Sequence, residues 1–96
     1  AIEAYEKALA ITPYFAQAHY NLGVAYGKIN KPRQAMESYE RTVQLEPSFV
    51  AARINLGIAY YDRKRIEESI EQFEIALRYD PGNSRAISAL NQIRSR

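Results

Sequence analysis

The chain contains no cysteine, so neither a disulfide nor a thiolate metal site can be drawn from it, and this fits a reducing compartment such as the cytoplasm. No apolar run approaches the roughly 18 residues that a membrane-spanning helix needs, so no membrane partner is expected. Histidine occurs once, at His19, and one imidazole cannot make a histidine-rich metal site. No Walker-type phosphate loop, G-x-G-x-x-G turn or hydrolase spacing of Ser, His and carboxylate is present. These absences leave no candidate catalytic residue, metal or cofactor, and the chain is not expected to be an enzyme. Charge of one sign is also missing: thirteen Lys and Arg against eleven Asp and Glu leave a formal charge of +2. So small and scattered an excess argues against a nucleic-acid partner. The only basic run, Arg63-Lys64-Arg65, falls between two predicted helices and reads as a solvated turn.

What the chain does have is a period. Leu22, Gly23, Tyr26, Ala35, Tyr39 and Pro47 return 34 residues later as Leu56, Gly57, Tyr60, Ser69, Phe73 and Pro81. The same step links Ala1, Tyr5 and Pro13 to the first set, and Leu56 to Leu90. Self-similarity at this interval signals stacked supersecondary units in place of one globular core. Leu22-Gly23-x-x-Tyr26 with Ala35-x3-Tyr39 and Pro47, and Leu56-Gly57-x-x-Tyr60 with Phe73, Ala76 and Pro81, resemble the tetratricopeptide repeat over the whole chain. His19 and Arg53 stand where that family often has an aromatic, Thr42 where Ala76 stands later, and Ser69 fills a small-residue slot. The resemblance implies an all-α fold, a right-handed solenoid of six helices in antiparallel pairs.

Apolar spacing at 100° per residue places those helices. Residues 1–12 hold the second helix of a truncated repeat, with Ile2, Tyr5, Ala8 and Leu9 on one face, ended by Thr12-Pro13. Residues 16–49 form a full repeat: Ala16 to Ile29 with Ala18, His19, Leu22, Ala25, Tyr26 and Ile29 inward, a turn at Asn30-Lys31, then Pro32 to Leu45 with Ala35, Met36, Tyr39, Thr42 and Val43 inward. Residues 50–83 repeat the pair, as Phe49 to Arg63 and Ile66 to Tyr79, the latter with Ile66, Ile70, Phe73, Ala76 and Leu77 inward. Residues 84–96 carry a last helix from Arg85 to about Ser95, capped by Ser84, with Ala86, Ile87, Leu90 and Ile93 on one face. Its glycine and tyrosine slots hold Asn91 and Arg94, so it reads as a solvating end helix. Gly23 and Gly57 each cost about 1 kcal/mol of helix propensity, so a close helix approach that a side chain would block is expected there. The pattern opens in mid-repeat without Met or a targeting segment, so the chain is expected to be a piece of a longer one.

The sides of the first helices that face away from Leu22 and Leu56 are more apolar than water alone would favour. They carry Gln17, Tyr20, Asn21, Val24 and Lys28 in one repeat, and Ala51, Ile54, Asn55, Ile58, Tyr61 and Asp62 in the next. The resemblance assigns them, with Arg85, to the floor of a concave groove that binds an extended peptide or a helix. Asn21 and Asn55 would form a ladder whose amides can both donate to and accept from a peptide backbone. The plainer alternative is that Tyr20, Ile54 and their neighbours pack between repeats. The carboxylate-clamp subfamily, which grips the acidic tail of a chaperone, is similar only at Asn55 and Arg85; Tyr20, Val24 and Ala89 occupy its remaining positions, so that clamp is not expected. The expected partner is a protein or peptide. Two rival functions are self-association as a homo-oligomer through the uncovered Ile2, Tyr5 and Leu9 face, and a targeting array attached to a separate catalytic domain.

Overall fold

The period becomes helices because each repeat alternates a run of helix-compatible apolar spacing with a short turn that proline or a left-handed residue enforces. The computed structural model describes residues 2–11 and 14–95, in which all regular structure is helical. The six helices among the described residues are α1 (Ile2–Ile11), α2 (Ala16–Lys28), α3 (Pro32–Leu45), α4 (Val50–Asp62), α5 (Ile66–Tyr79) and α6 (Ser84–Arg94). Ala1 and the expected stop at Thr12-Pro13 lie outside the described residues. None of the described helices is long and apolar enough to cross a membrane.

The chain divides into two compact units, Ala1–Pro47 with α1 to α3 and Ser48–Arg96 with α4 to α6. In the first, α2 and α3 form a helical hairpin and α1 lies against α2. Ala18, Leu22, Ala35, Met36 and Tyr39 are buried between them, whereas α1 buries no side chain completely. In the second, α4 and α5 form the equivalent hairpin and α6 lies against α5. Its core joins Ile54, Phe73, Ala76, Ala86 and Leu90.

Both hairpins turn the same way. Asn30 and Lys64 adopt φ of 60° and 63°, the left-handed region. Lys31 N–H then reaches back to the Tyr26 carbonyl at 2.9 Å, and Arg65 N–H to the Tyr60 carbonyl at 2.9 Å. These long back-bonds satisfy carbonyls that the ends of α2 and α4 would otherwise leave without partners.

The glycines behave as the close-approach argument requires. A Cβ on Gly23 would lie 2.6 Å from Tyr39 Cε1, and one on Gly57 would lie 2.7 Å from Phe73 Cε1. Each hairpin is therefore closed by an aromatic ring packed against bare backbone, at a distance that a Cβ would violate.

Several inward assignments need correction. Ile29, Ile66 and Ile87 are 52%, 38% and 40% exposed, because the first two stand at helix ends, beyond the neighbouring helix, and the third lies off the Ala86–Leu90 stripe. Val43, Ile70 and Leu77 are only half-buried. Ser38, Ser69 and Gln72 are buried in their stead. Polar burial is tolerable there because every group is bonded: Ser69 Oγ donates to the Gly57 carbonyl at 2.7 Å, and Arg53 Nη1 donates to Gln72 Oε1 at 3.0 Å. Thr42, fully buried, donates its hydroxyl to the Ser38 carbonyl at 2.9 Å. The cap of α6 is Asn83 and not Ser84: the Asn83 Oδ1 accepts from Ala86 N–H at 3.0 Å, leaving Ser84 as the first helical residue. The basic turn at Arg63 to Arg65 is exposed, as its charge demands. Asn91 and Arg94 are exposed too, and Arg94 pairs with Glu74 at 2.8 Å.

Candidate functional site

The outward residues of α2 form a mixed surface in the first unit. Gln17 and Lys28 are exposed, and Tyr20, Asn21 and Val24 are half-buried. Gln17 Nε2 donates to Asn21 Oδ1 at 2.9 Å, one turn apart on the helix, so the two amides share a face. The Tyr20 ring leans back on α3, its centroid 5.7 Å from that of Tyr39 at an interplanar angle of 46°. This tilted contact anchors Tyr20 while leaving part of it open to solvent.

In the second unit, Ala51, Asn55 and Tyr61 are half-buried, and Ile58 is 42% exposed. Ile54 departs from its expected place on the groove floor. It is 2% exposed and packs in the core with Ala86 and Leu90 of α6, because α4 is covered on this side as well as on the side facing α5. Ile58 and Tyr61 meet Phe73 of α5 and Ala89, Gln92 and Ile93 of α6 around an apolar depression of about 200 Å³. Arg85 is exposed on α6, and Ala89 and Gln92 follow it at helical spacings of four and seven residues.

Gln92 was not among the expected site residues, and Ile93 was expected only on the apolar face of the last helix. The stripe from Arg85 through Ala89 and Gln92 was available as a signal, but pattern alone does not say which neighbouring helix supplies the floor. Ile2, Tyr5 and Leu9, the candidates for self-association, are half-buried. Ile2 and Glu3 border a wider depression of about 420 Å³ with Ala25, Lys28 and Ile29. His19 is half-buried between α2 and α3, in keeping with a packing role. Desolvation and the nearby Glu6 carboxylate push the Tyr26 phenol above its ordinary value, and Tyr26 Oη donates to Glu6 Oε2 at 3.3 Å. No group of three or more His, Cys, Asp or Glu that could hold a metal ion occurs among the described residues.

Helical hairpins recurring at a fixed interval, each closed by glycine against an aromatic ring, define a helical-repeat protein. A family model described as tetratricopeptide repeat matches residues 20–84, and a second, described as TPR repeat, matches residues 1–30. The chain belongs to the tetratricopeptide repeat family. No curated protein matches its sequence. Among solved structures it is similar to the first TPR of Spaghetti (RPAP3) bound to the HSP90 peptide SRMEEVD, with 26% identity over 98% of this chain and 75% of that one and a TM-score of 0.90. It is also similar to the second TPR domain of human RPAP3 in complex with the HSP70 peptide SGPTIEEVD, with 29% identity over 97% of this chain and 78% of that one and a TM-score of 0.87. MamA is 31% identical over 83% of this chain but only 47% of its own length, with a TM-score of 0.79.

Proposed function

We propose that the chain is a non-catalytic interaction module that binds peptide segments of other proteins through outward helix faces within its units, that of α2 in the first and those of α4 and α6 in the second. The observation that carries this reading is the depression bounded by Ile58, Tyr61, Phe73, Ala89, Gln92 and Ile93. Its size suits one bulky apolar side chain, and filling it would remove the exposed part of Ile58 from water. The similar RPAP3 domains support the same use of the fold, since they bind an HSP90 and an HSP70 peptide. Gln17, Tyr20, Asn21, Val24 and Lys28 in the first unit, and Ala51, Asn55, Ile58, Tyr61 and Arg85 in the second, are the proposed contacts. Ile54 supports them from the core. With Tyr20, Val24 and Ala89 where the clamp would hold its other polar and basic groups, carboxylate recognition has only Asn55 and Arg85 to draw on, so an apolar anchor supplies most of the affinity.

The test is a selection from a random peptide library, followed by titration of the chosen peptides against the parent and Ile58→Asp. The charge removes about 1.5–3 kcal/mol of apolar burial, so affinity is expected to fall at least tenfold with helicity unchanged. Equal affinity for the two proteins would reject this site.

A second reading, self-association, draws on the absence of any fully buried side chain in α1 and the depression beside Ile2. A second copy covering Ile2, Tyr5 and Leu9 would give a mass by light scattering that rises with concentration. A constant monomer mass across the dilution series would dismiss it.

A further inference from the structure

Equivalent clefts in the two repeats are filled differently. Between α4 and α5 the space holds two of the chain's own guanidinium groups. Arg53 Nη1 donates to Gln72 Oε1 at 3.0 Å, and Arg65 lies 4.4 Å from the centroid of the Tyr60 ring. Arg65 also forms a fork on the Glu68 carboxylate, its Nε and Nη2 donating at 2.7 and 2.6 Å. Burial pulls the Arg53 guanidinium below its ordinary value, while Tyr79, Glu71 and Tyr60 act in the opposite direction. The second repeat thus shows what this cleft accommodates: a planar cation against a tyrosine ring and beside carboxylates.

Thirty-four residues earlier part of the wall is kept, while both guanidinium groups are lost and Gln34 stands in place of the Glu68 carboxylate. Leu22, Tyr26 and Glu37 stand for Leu56, Tyr60 and Glu71, but His19 replaces Arg53, Lys31 replaces Arg65 and Ser38 replaces Gln72. Shorter side chains leave an open cleft of about 280 Å³ over Leu22 and Tyr26, edged by His19, Gln34, Glu37 and Ser38. Arg41, on the same rim, is engaged elsewhere: its Nη1 donates to Gln44 Oε1 at 3.2 Å and its guanidinium lies 5.8 Å from the Tyr14 ring centroid.

We propose that this cleft receives an arginine side chain from a partner protein, its guanidinium lying on the Tyr26 ring as that of Arg65 lies on the Tyr60 ring. The guanidinium would lie on the Tyr26 ring within reach of the Glu37 carboxylate, with its aliphatic stem over Leu22. A lysine would fit less well, since a compact, strongly hydrated ammonium neither stacks flat on a ring nor forks onto a carboxylate.

The experiment titrates the isotope-labelled full chain with N-acetyl-arginine amide and with its lysine counterpart, followed by amide and imidazole chemical shifts. The expected result is a set of shifts centred on His19, Glu37 and Ser38 that saturates in the millimolar range for arginine and is several-fold weaker for lysine. Glu37→Gln, an exposed change that leaves the fold alone, is expected to weaken binding by up to about fivefold. The double variant His19→Arg/Ser38→Gln restores the pair found in the second repeat, so it should fill the cleft from within and abolish the shifts. Indistinguishable shifts with the two amides, shifts that survive in the double variant, or none at all at those residues would overturn the proposal. Should the double variant not fold, an affinity unchanged by Glu37→Gln decides against it.

Discussion

Replacing Phe73 by alanine is expected to lower the stability of the second unit by about 3–5 kcal/mol, the largest loss from any single truncation in this chain. Phe73 is 2% exposed and is the central ring of a core whose other members, Ile54, Ala76, Ala86 and Leu90, are smaller. Alanine residues cannot lean into the space that the ring vacates, so the cavity stays open and the full transfer and packing losses are felt. A small protein has only about 5–15 kcal/mol in hand, so this single change removes a large share. Hydrogen exchange of amides in α4 and α5, together with denaturant titration, reads the loss. A change below about 1 kcal/mol would mean that the ring is not the keystone of this unit.

The second large effect is a pair of opposite signs at one residue type. Gly57→Ala gains about 1 kcal/mol of helix propensity, but its Cβ lands 2.7 Å from Phe73 Cε1 and Cζ. The ring is buried and cannot swing aside, so α4 and α5 must separate, and overpacking of this kind costs about 1–3 kcal/mol beyond the propensity gain. Gly27→Ala meets nothing within 4 Å and should therefore raise stability by about 0.5–1 kcal/mol. Melting midpoints of the two variants should move in opposite directions. If both rise, the ring contact with Gly57 carries no weight.

Gly23 and Gly57 also show where the sequence was legible. Gly57 returned at the same offset as Gly23, and a repeated helix breaker inside an amphipathic helix has few explanations besides close approach. Helix limits were legible to within a residue or two wherever a proline or a left-handed turn stood beside them, as at Pro32 and Asn30. The cap of α6 was not: Asn83 and Ser84 are adjacent and both can accept the bond, so only the backbone angle of Asn83 decides. Ile54 was misplaced for a different reason. A helical wheel shows that Ile54 points away from the Leu56 side, but it cannot show that α6 comes to rest there and covers it. Its counterpart Tyr20, with a longer and partly polar side chain, remains half-buried against Tyr39. The helix faces of the candidate site were thus readable, while the depression around Ile58 was not, because its walls come from helices far apart in the sequence.

The left-handed residue that closes each hairpin has one more consequence. Asparagine accepts that geometry at Asn30 with little penalty, whereas Lys64 at φ 63° holds a long side chain in a conformation that crowds its own backbone. The turn between α4 and α5 is thus the looser stitch of the two. Thermal agitation should part the turn of the second hairpin before that of the first, so the seam most open to proteolytic nicking is the basic triplet Arg63-Lys64-Arg65 itself, where trypsin-like enzymes cut.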